Sequence, residues 1–140
     1  MKKIIIWLLL IGLVAALAVF AYIKVFSAKH DDPTKKEQIK ITASELYRLF
    51  SNFEDSATRM YAVRDKAINV SGRISNKEII NNRYTLSLHT GDDMGAIVCE
   101  MDSVENPLIK NLNEDDSVNI IGFCNGYLMD VQMFRCKLAK

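Results

Sequence analysis

The sequence predicts a mainly β fold: a small five-stranded barrel behind one amphipathic helix, itself preceded by an N-terminal transmembrane helix. Three observations lead there. Five short runs beyond residue 66 alternate apolar and polar side chains between turn-forming clusters, a helix-start signal opens at Thr42, and residues 4–23 carry no charge. The 140 residues hold 18 Lys plus Arg against 17 Asp plus Glu, which excludes a polybasic nucleic-acid arm and an acidic disordered tail. Past the apolar run only about 100 residues remain, enough for one small domain.

Twenty uncharged residues, Ile4 to Ile23, reach across a hydrocarbon core of roughly 30 Å at about 1.5 Å per residue. The expected arrangement is an anchor over residues 1–23, a polar linker over 24–40 and a folded domain over 41–140. A cleaved signal peptide is the rival, but its apolar region usually runs about 7 to 15 residues, and Val19-Phe20-Ala21 is only a passable cleavage site. No cysteine lies near the segment, so no thiol-linked lipid can replace it. Lys24, Lys29, Lys35, Lys36 and Lys40 follow the span, and counting charges alone would keep the domain cytoplasmic. A very short basic N-terminus, here Lys2 and Lys3, normally stays inside. The expectation is therefore a single-pass protein of the cytoplasmic (inner) membrane whose domain faces the periplasm or cell exterior.

Thr42-Ala43-Ser44-Glu45 fits a capping box, in which the threonine oxygen accepts from the third helical amide. Leu46, Leu49, Phe50, Phe53, Ala57, Met60 and Tyr61 then recur at three-and-four spacing, a stripe expected to cover the domain's own core.

Strand one is expected around Ile68, Val70 and Ile74, with Gly72 marking a bend or a close backbone approach. Ser75 to Glu78 and Asn81-Asn82 read as turn. Tyr84, Leu86 and Leu88 make strand two, Ala96 to Met101 strand three, and Pro107 suits the start of a brief helix within Ser103 to Leu112. Val118 to Cys124 and Asp130 to Leu138 complete the set. In the last strand the apolar phase slips between Met133 and Phe134, which predicts a bulge there. Five short strands with a helical interruption between the third and fourth fit a barrel of the OB type, with a small sandwich or open α+β sheet as the alternative.

The stretch Gly122-Phe123-Cys124-Asn125-Gly126-Tyr127-Leu128-Met129-Asp130-Val131, ending Phe134-Arg135-Cys136, resembles the closing motif of the tRNA-anticodon-binding-like OB-fold family. The similarity extends back through Asp116 to Gly122, Val98-Cys99, Val70 to Ile74 and Ala43 to Leu46, covering about residues 42 to 138. Asn125 departs from the usual threonine. The resemblance implies an OB barrel in a bacterial envelope protein with a lipoprotein signal or a membrane anchor, and no particular RNA function.

Cys124 and Cys136 flank the last turn and make a disulfide pair possible, with Cys99 able to pair with either. No Cys-x-x-Cys pair, glycine-rich phosphate loop, Gly-x-Ser-x-Gly or His-Glu-x-x-His is present. The expectation is no enzyme, no cofactor and no metal site. His89 beside Asp92 and Asp93 is expected to be a solvated loop residue. Residues 40–140 carry 12 Lys plus Arg against 14 Asp plus Glu, a net of −2, and the outward set of strand two, Arg83, Thr85, Ser87 and His89, has no aromatic ring. Nucleic acid is thereby disfavoured, since single-strand binders combine basic grooves with stacking platforms. By analogy with other OB barrels, ligand contacts are expected in the first loop, at Lys77, Asn81, Asn82 and Arg83, and in the last, at Asn125 and Tyr127. The expected partner is an envelope protein, peptide or glycan, and residues 4–23 supply the membrane contact.

Overall fold

The computed structural model describes residues 12–22, 32–63, 66–102 and 107–139. The chain divides into two compact units, Met1–Asp31 and Asp32–Lys140. In the first, residues 12–22 form helix α1, exposed throughout. Among the described residues no helix is long and apolar enough to cross a membrane. Residues 4–11 and 23 of the expected span lie outside the described residues, as do residues 24–31 of the expected linker.

The second unit starts earlier than the sequence suggested. Pro33–Lys35 form a 3-10 turn and Glu37–Thr42 form strand β1, which pairs in parallel with Lys66–Ser71 of β2 (Lys66–Ile80). Only Ile39 and Ile41 alternate in this short edge strand, too little periodicity to stand out in a charged stretch. The 3-10 turn, with Pro33 buried, packs on the outside of the barrel, where Ala67, Ile121, Phe123 and the half-buried Phe134 form a second apolar cluster. Asp32 caps this turn by accepting from the Thr34 amide (3.1 Å) and hydroxyl (2.8 Å), and it pairs with Lys137 at 3.2 Å.

Helix α2 (Ala43–Tyr61) begins where the capping signal places it, with Thr42 Oγ1 accepting from the Glu45 amide at 3.3 Å. Its first half buries Ala43, Leu46, Tyr47 and Phe50. Phe53 and Met60, expected on the same stripe, are exposed instead. The cause is a kink: Phe53 leaves helical geometry (φ −141°, ψ 52°), directly after Ser51 and Asn52, whose side chains both donate to the Arg48 carbonyl. Beyond it Ala57 and Tyr61 return to the core.

The barrel consists of β2, β3 (Arg83–His89), β4 (Ala96–Met101), β5 (Ser117–Leu128) and β6 (Asp130–Leu138), with the short helix α3 (Pro107–Lys110) between β4 and β5. Residues Ile74–Ile80 of β2 pair with β3 and residues Ile68–Arg73 with β5; β4 joins β6 in parallel, and the barrel closes through β2. This is the five-stranded OB arrangement. Gly72 meets the predicted close approach, since a Cβ there would lie 3.0 Å from that of Ala43 and 3.4 Å from Leu88.

Two boundaries differ from expectation. Ser75 to Glu78 is strand and not turn, because a bulge between Ile74 and Asn76 lets β2 continue to the Asn81-Asn82 hairpin, whose residues both take positive φ (50° and 61°). Strand β5 runs on to Leu128, past a bulge at Asn125. The predicted bulge in the last strand is present but later: the register slips between Met133 and Cys136, with Arg135 at φ 51°. Phe134 therefore joins the outer cluster, while Val131, Met133 and Cys136 face the main core.

Candidate ligand-binding surfaces

Alternation along β3 buries Leu86 and Leu88 and turns Arg83, Thr85, Ser87 and His89 outward, the face the sequence assigned. Cross-strand neighbours on that face are Asn76 and Glu78 of β2 and Val98 and Glu100 of β4. Arg83 is taken up by Glu100, with Nη1 2.5 Å from Oε1. The surface is polar and carries no aromatic ring among these residues. A shallow pocket of about 350 Å³ opens at its edge, lined by Ile80, Asn81, Arg83, Thr85 and Glu100.

The other sequence-nominated contacts are placed differently. Lys77 is half-buried, and its ammonium donates to the carbonyls of Lys110 (3.1 Å) and Leu112 (2.5 Å), so it caps the end of α3. Asn81 and Asn82 form the left-handed turn. Asn125 is exposed at the β5 bulge. Tyr127 lies against α2, its ring stacked on Phe50 (6.1 Å) and edge-on to Tyr47 (6.0 Å). The hydrogen bond with Tyr127, with burial adding to it, pushes Tyr47 up to about 12. The structure does not bring the two nominated loops together. Arg83 sits beside Glu100 at the far end of β4, whereas the β5–β6 hairpin sits at its start, where the Ala96 amide donates to Asp130 Oδ1 at 2.8 Å.

That second end holds features the sequence reading passed over. The 90–95 loop is folded on the Thr90 hydroxyl, which donates to the Gly95 carbonyl at 2.6 Å, and it presses on Tyr47. On one side of it a pocket of about 540 Å³ faces the first turns of α2; on the other a groove of about 350 Å³ runs between His89, Asp92, Asp93, Met94 and Asp130. Runs of Asp and Met within turns carry no periodicity, so their convergence was not legible.

Cys99, Cys124 and Cys136 are free and buried in the main core. Cys99, and not Cys124, is the hydrogen-bonding neighbour of Cys136, whose thiol is pushed well up by burial and by that neighbour. Burial raises Cys124 to about 11. His89 is exposed, 3.9 Å from Asp115, whereas Cys99 is fully buried in the core. Among the described residues no group of His, Cys, Asp and Glu is placed to hold a metal ion.

In the solved structures, a lipoprotein of Klebsiella pneumoniae subsp. pneumoniae, provisionally described as nucleic acid-binding, shares the fold with a TM-score of 0.56 at 14% identity, over 72% of this chain and 92% of that one. The Stn1-Ten1 complex of S. pombe aligns at a TM-score of 0.42 and 14% identity, over 53% and 58% of the two chains. Asparaginyl-tRNA synthetase of Entamoeba histolytica aligns at 0.42 and 17%, over 55% and 21%. No curated protein matches. The tRNA_anti-like family model matches residues 1–138, and the chain belongs to that family.

Proposed function

We propose that the chain is a non-catalytic OB-fold binding module of the cell envelope, tethered by its apolar N-terminal segment and offering the barrel to a protein, peptide or glycan. One observation carries this reading: the outward face of β3 and β4 has hydroxyls and an arginine neutralised by Glu100, but no stacking ring. Single-strand binding needs both stacking and positive charge, and the domain is net negative. The tether rests on the uncharged run at residues 4–23, and an envelope location fits a relative in fold that is a lipoprotein. In this reading the domain lies on the outer side of the cytoplasmic membrane.

A second reading, a nucleic-acid-binding domain held at the cytoplasmic face, is favoured by the description of the Klebsiella protein and by the five lysines after the apolar run. Titrating the full chain in nonionic detergent with single-stranded RNA and DNA oligonucleotides separates the two. The expected result is no saturable binding even at low salt. Micromolar or tighter binding that weakens linearly with the logarithm of salt concentration would establish the second reading and overturn the first.

A further inference from the structure

We propose that the 90–95 loop and the β5–β6 hairpin together form a docking site for a protein segment that presents lysine or arginine beside apolar anchors. This inference rests on the barrel being a protein- or peptide-binding module, and it names the surface and the partner's chemistry. Leu128, Met94 and Met129 are 83%, 75% and 68% exposed, the three most exposed large apolar side chains among the described residues of the barrel unit. They belong to two adjoining segments, the 90–95 loop and the β5–β6 hairpin, which meet at Asp130. Leu128 faces Asp130 across the hairpin, Asp130 accepts from the Ala96 amide, and Met94 and Asp130 line the same groove.

Met129 occupies the turn at φ 66°, a conformation in which an L side chain with a long stem is disfavoured and where glycine or asparagine would sit at less cost. A strained methionine at the tip of a hairpin, beside an exposed leucine, is the type of departure that points to use of the site. Methionine adapts its shape to varied apolar partners.

The rim fixes the sign of the partner. Asp92, Asp93 and Asp130 line the groove together with His89, and among the described residues no lysine or arginine does. Backbone amides hold one oxygen of Asp92 (from Met94, 2.8 Å) and one of Asp130 (from Ala96, 2.8 Å), which fixes both carboxylates at the groove, and among the described residues no side-chain cation pairs with either. Three carboxylates around an apolar tip repel phosphate, whether from nucleic acid or from an anionic bilayer, and attract a basic segment.

The test pans a library of random short peptides against the full chain in nonionic detergent, then measures recovered peptides by fluorescence anisotropy. The same measurement is made on Leu128→Ser/Met129→Ser, on Asp93→Asn and on Ile79→Ser, an exposed apolar control on the other hairpin. Recovered peptides should combine Lys or Arg with apolar residues. Their affinity should fall about tenfold or more in the double variant, about threefold in Asp93→Asn with the difference shrinking in salt, and should not change in Ile79→Ser. Recovery of no peptide, or of peptides without cationic enrichment, overturns the proposal, as does binding to phosphatidylglycerol vesicles that depends on the same side chains. Peptides that bind every variant alike would remove this site and leave the module reading intact. Oligonucleotide binding with no peptide recovered would remove both.

Discussion

Asp32 Oδ2 lies 3.2 Å from Lys137 Nζ, so the residue that opens the barrel unit is paired with its last strand. The pair fixes the 3-10 turn Pro33–Lys35 against β2, β5 and β6, the strands that carry the outer apolar cluster of Ala67, Ile121 and Phe123. Hydrogen bonds from the Thr34 hydroxyl and amide, followed by Lys137, hold Asp32 down at about 2 from its ordinary 3.8. A carboxylate lowered in the folded state stabilises it fully above the unfolded value, and that contribution is lost as pH falls through the folded one. Asp32→Asn should therefore have a lower urea midpoint than the unaltered chain at pH 7, and the gap should close between about pH 4 and pH 2. A gap independent of pH would contradict the pairing.

Gly122 leaves room for Cys136. A Cβ at Gly122 would meet Cys136 Sγ at 2.6 Å and the Phe134 carbonyl oxygen at 3.2 Å. Gly122→Ala alone should cost about 1–3 kcal/mol by overpacking. Combined with Cys136→Ala it should cost less than the two single changes added, by about 0.5 kcal/mol or more in a denaturant double-mutant cycle. Additive losses would show that the sulfur is not what the glycine accommodates.

Lys77 is a structural cation. Lys77→Met removes both bonds to the carbonyls at the end of α3 and should lower stability by about 1–3 kcal/mol. Peptide affinity should stay unchanged, measured on the same preparations. A variant that kept its stability and lost affinity would return Lys77 to the ligand surface.

Met129→Gly should raise stability by about 1 kcal/mol, because glycine takes a φ of 66° without strain. If the methionine is there to meet a partner, the same change weakens peptide binding. Thermal melts and anisotropy on one variant give both numbers, and a loss of stability would refute the strain argument.

All three cysteines should resist alkylation at pH 8 in the folded chain and react readily in denaturant, since each is buried and the thiolate of Cys124 is disfavoured by its pKa of about 11. Mass analysis after timed iodoacetamide exposure reads this. Quantitative labelling of Cys99 in the folded chain would contradict its burial.

Much of the barrel was legible because its strands obey a period of two and sit between strong turn formers. Ala96–Met101 and Asp130–Leu138 are strands at the expected residues, and Thr42 starts α2 as its capping pattern requires. What escaped was tertiary in origin. Strand β1 exists because the edge of β2 offers it a ladder, and the β2 bulge at Ile74 is met by the 113–116 turn, where Asp115 and Asp116 exchange backbone bonds with Ile74. The phase slip in β6 was visible, but only the positive φ of Arg135 fixes it one residue later and sends Phe134 to the outer cluster. As for the candidate site, the loop residues were identifiable as turns. Their partners were not: Lys77 reaches a helix end 33 residues away in sequence, and Met94 comes beside Asp130 only once β4 and β6 pair.

If the 90–95 loop and the β5–β6 hairpin form the docking site, a partner meets this barrel at the tip near Met94, Leu128 and Met129 and not across the β3–β4 strand face. Amide chemical-shift mapping of the isotopically labelled full chain in micelles, titrated with a recovered basic peptide, tests it most directly. The expected shifts centre on Asp92 to Ala96 and Leu128 to Asp130. Shifts centred on Thr85, Ser87 and Val98 would contradict it, above all if an oligonucleotide produced them.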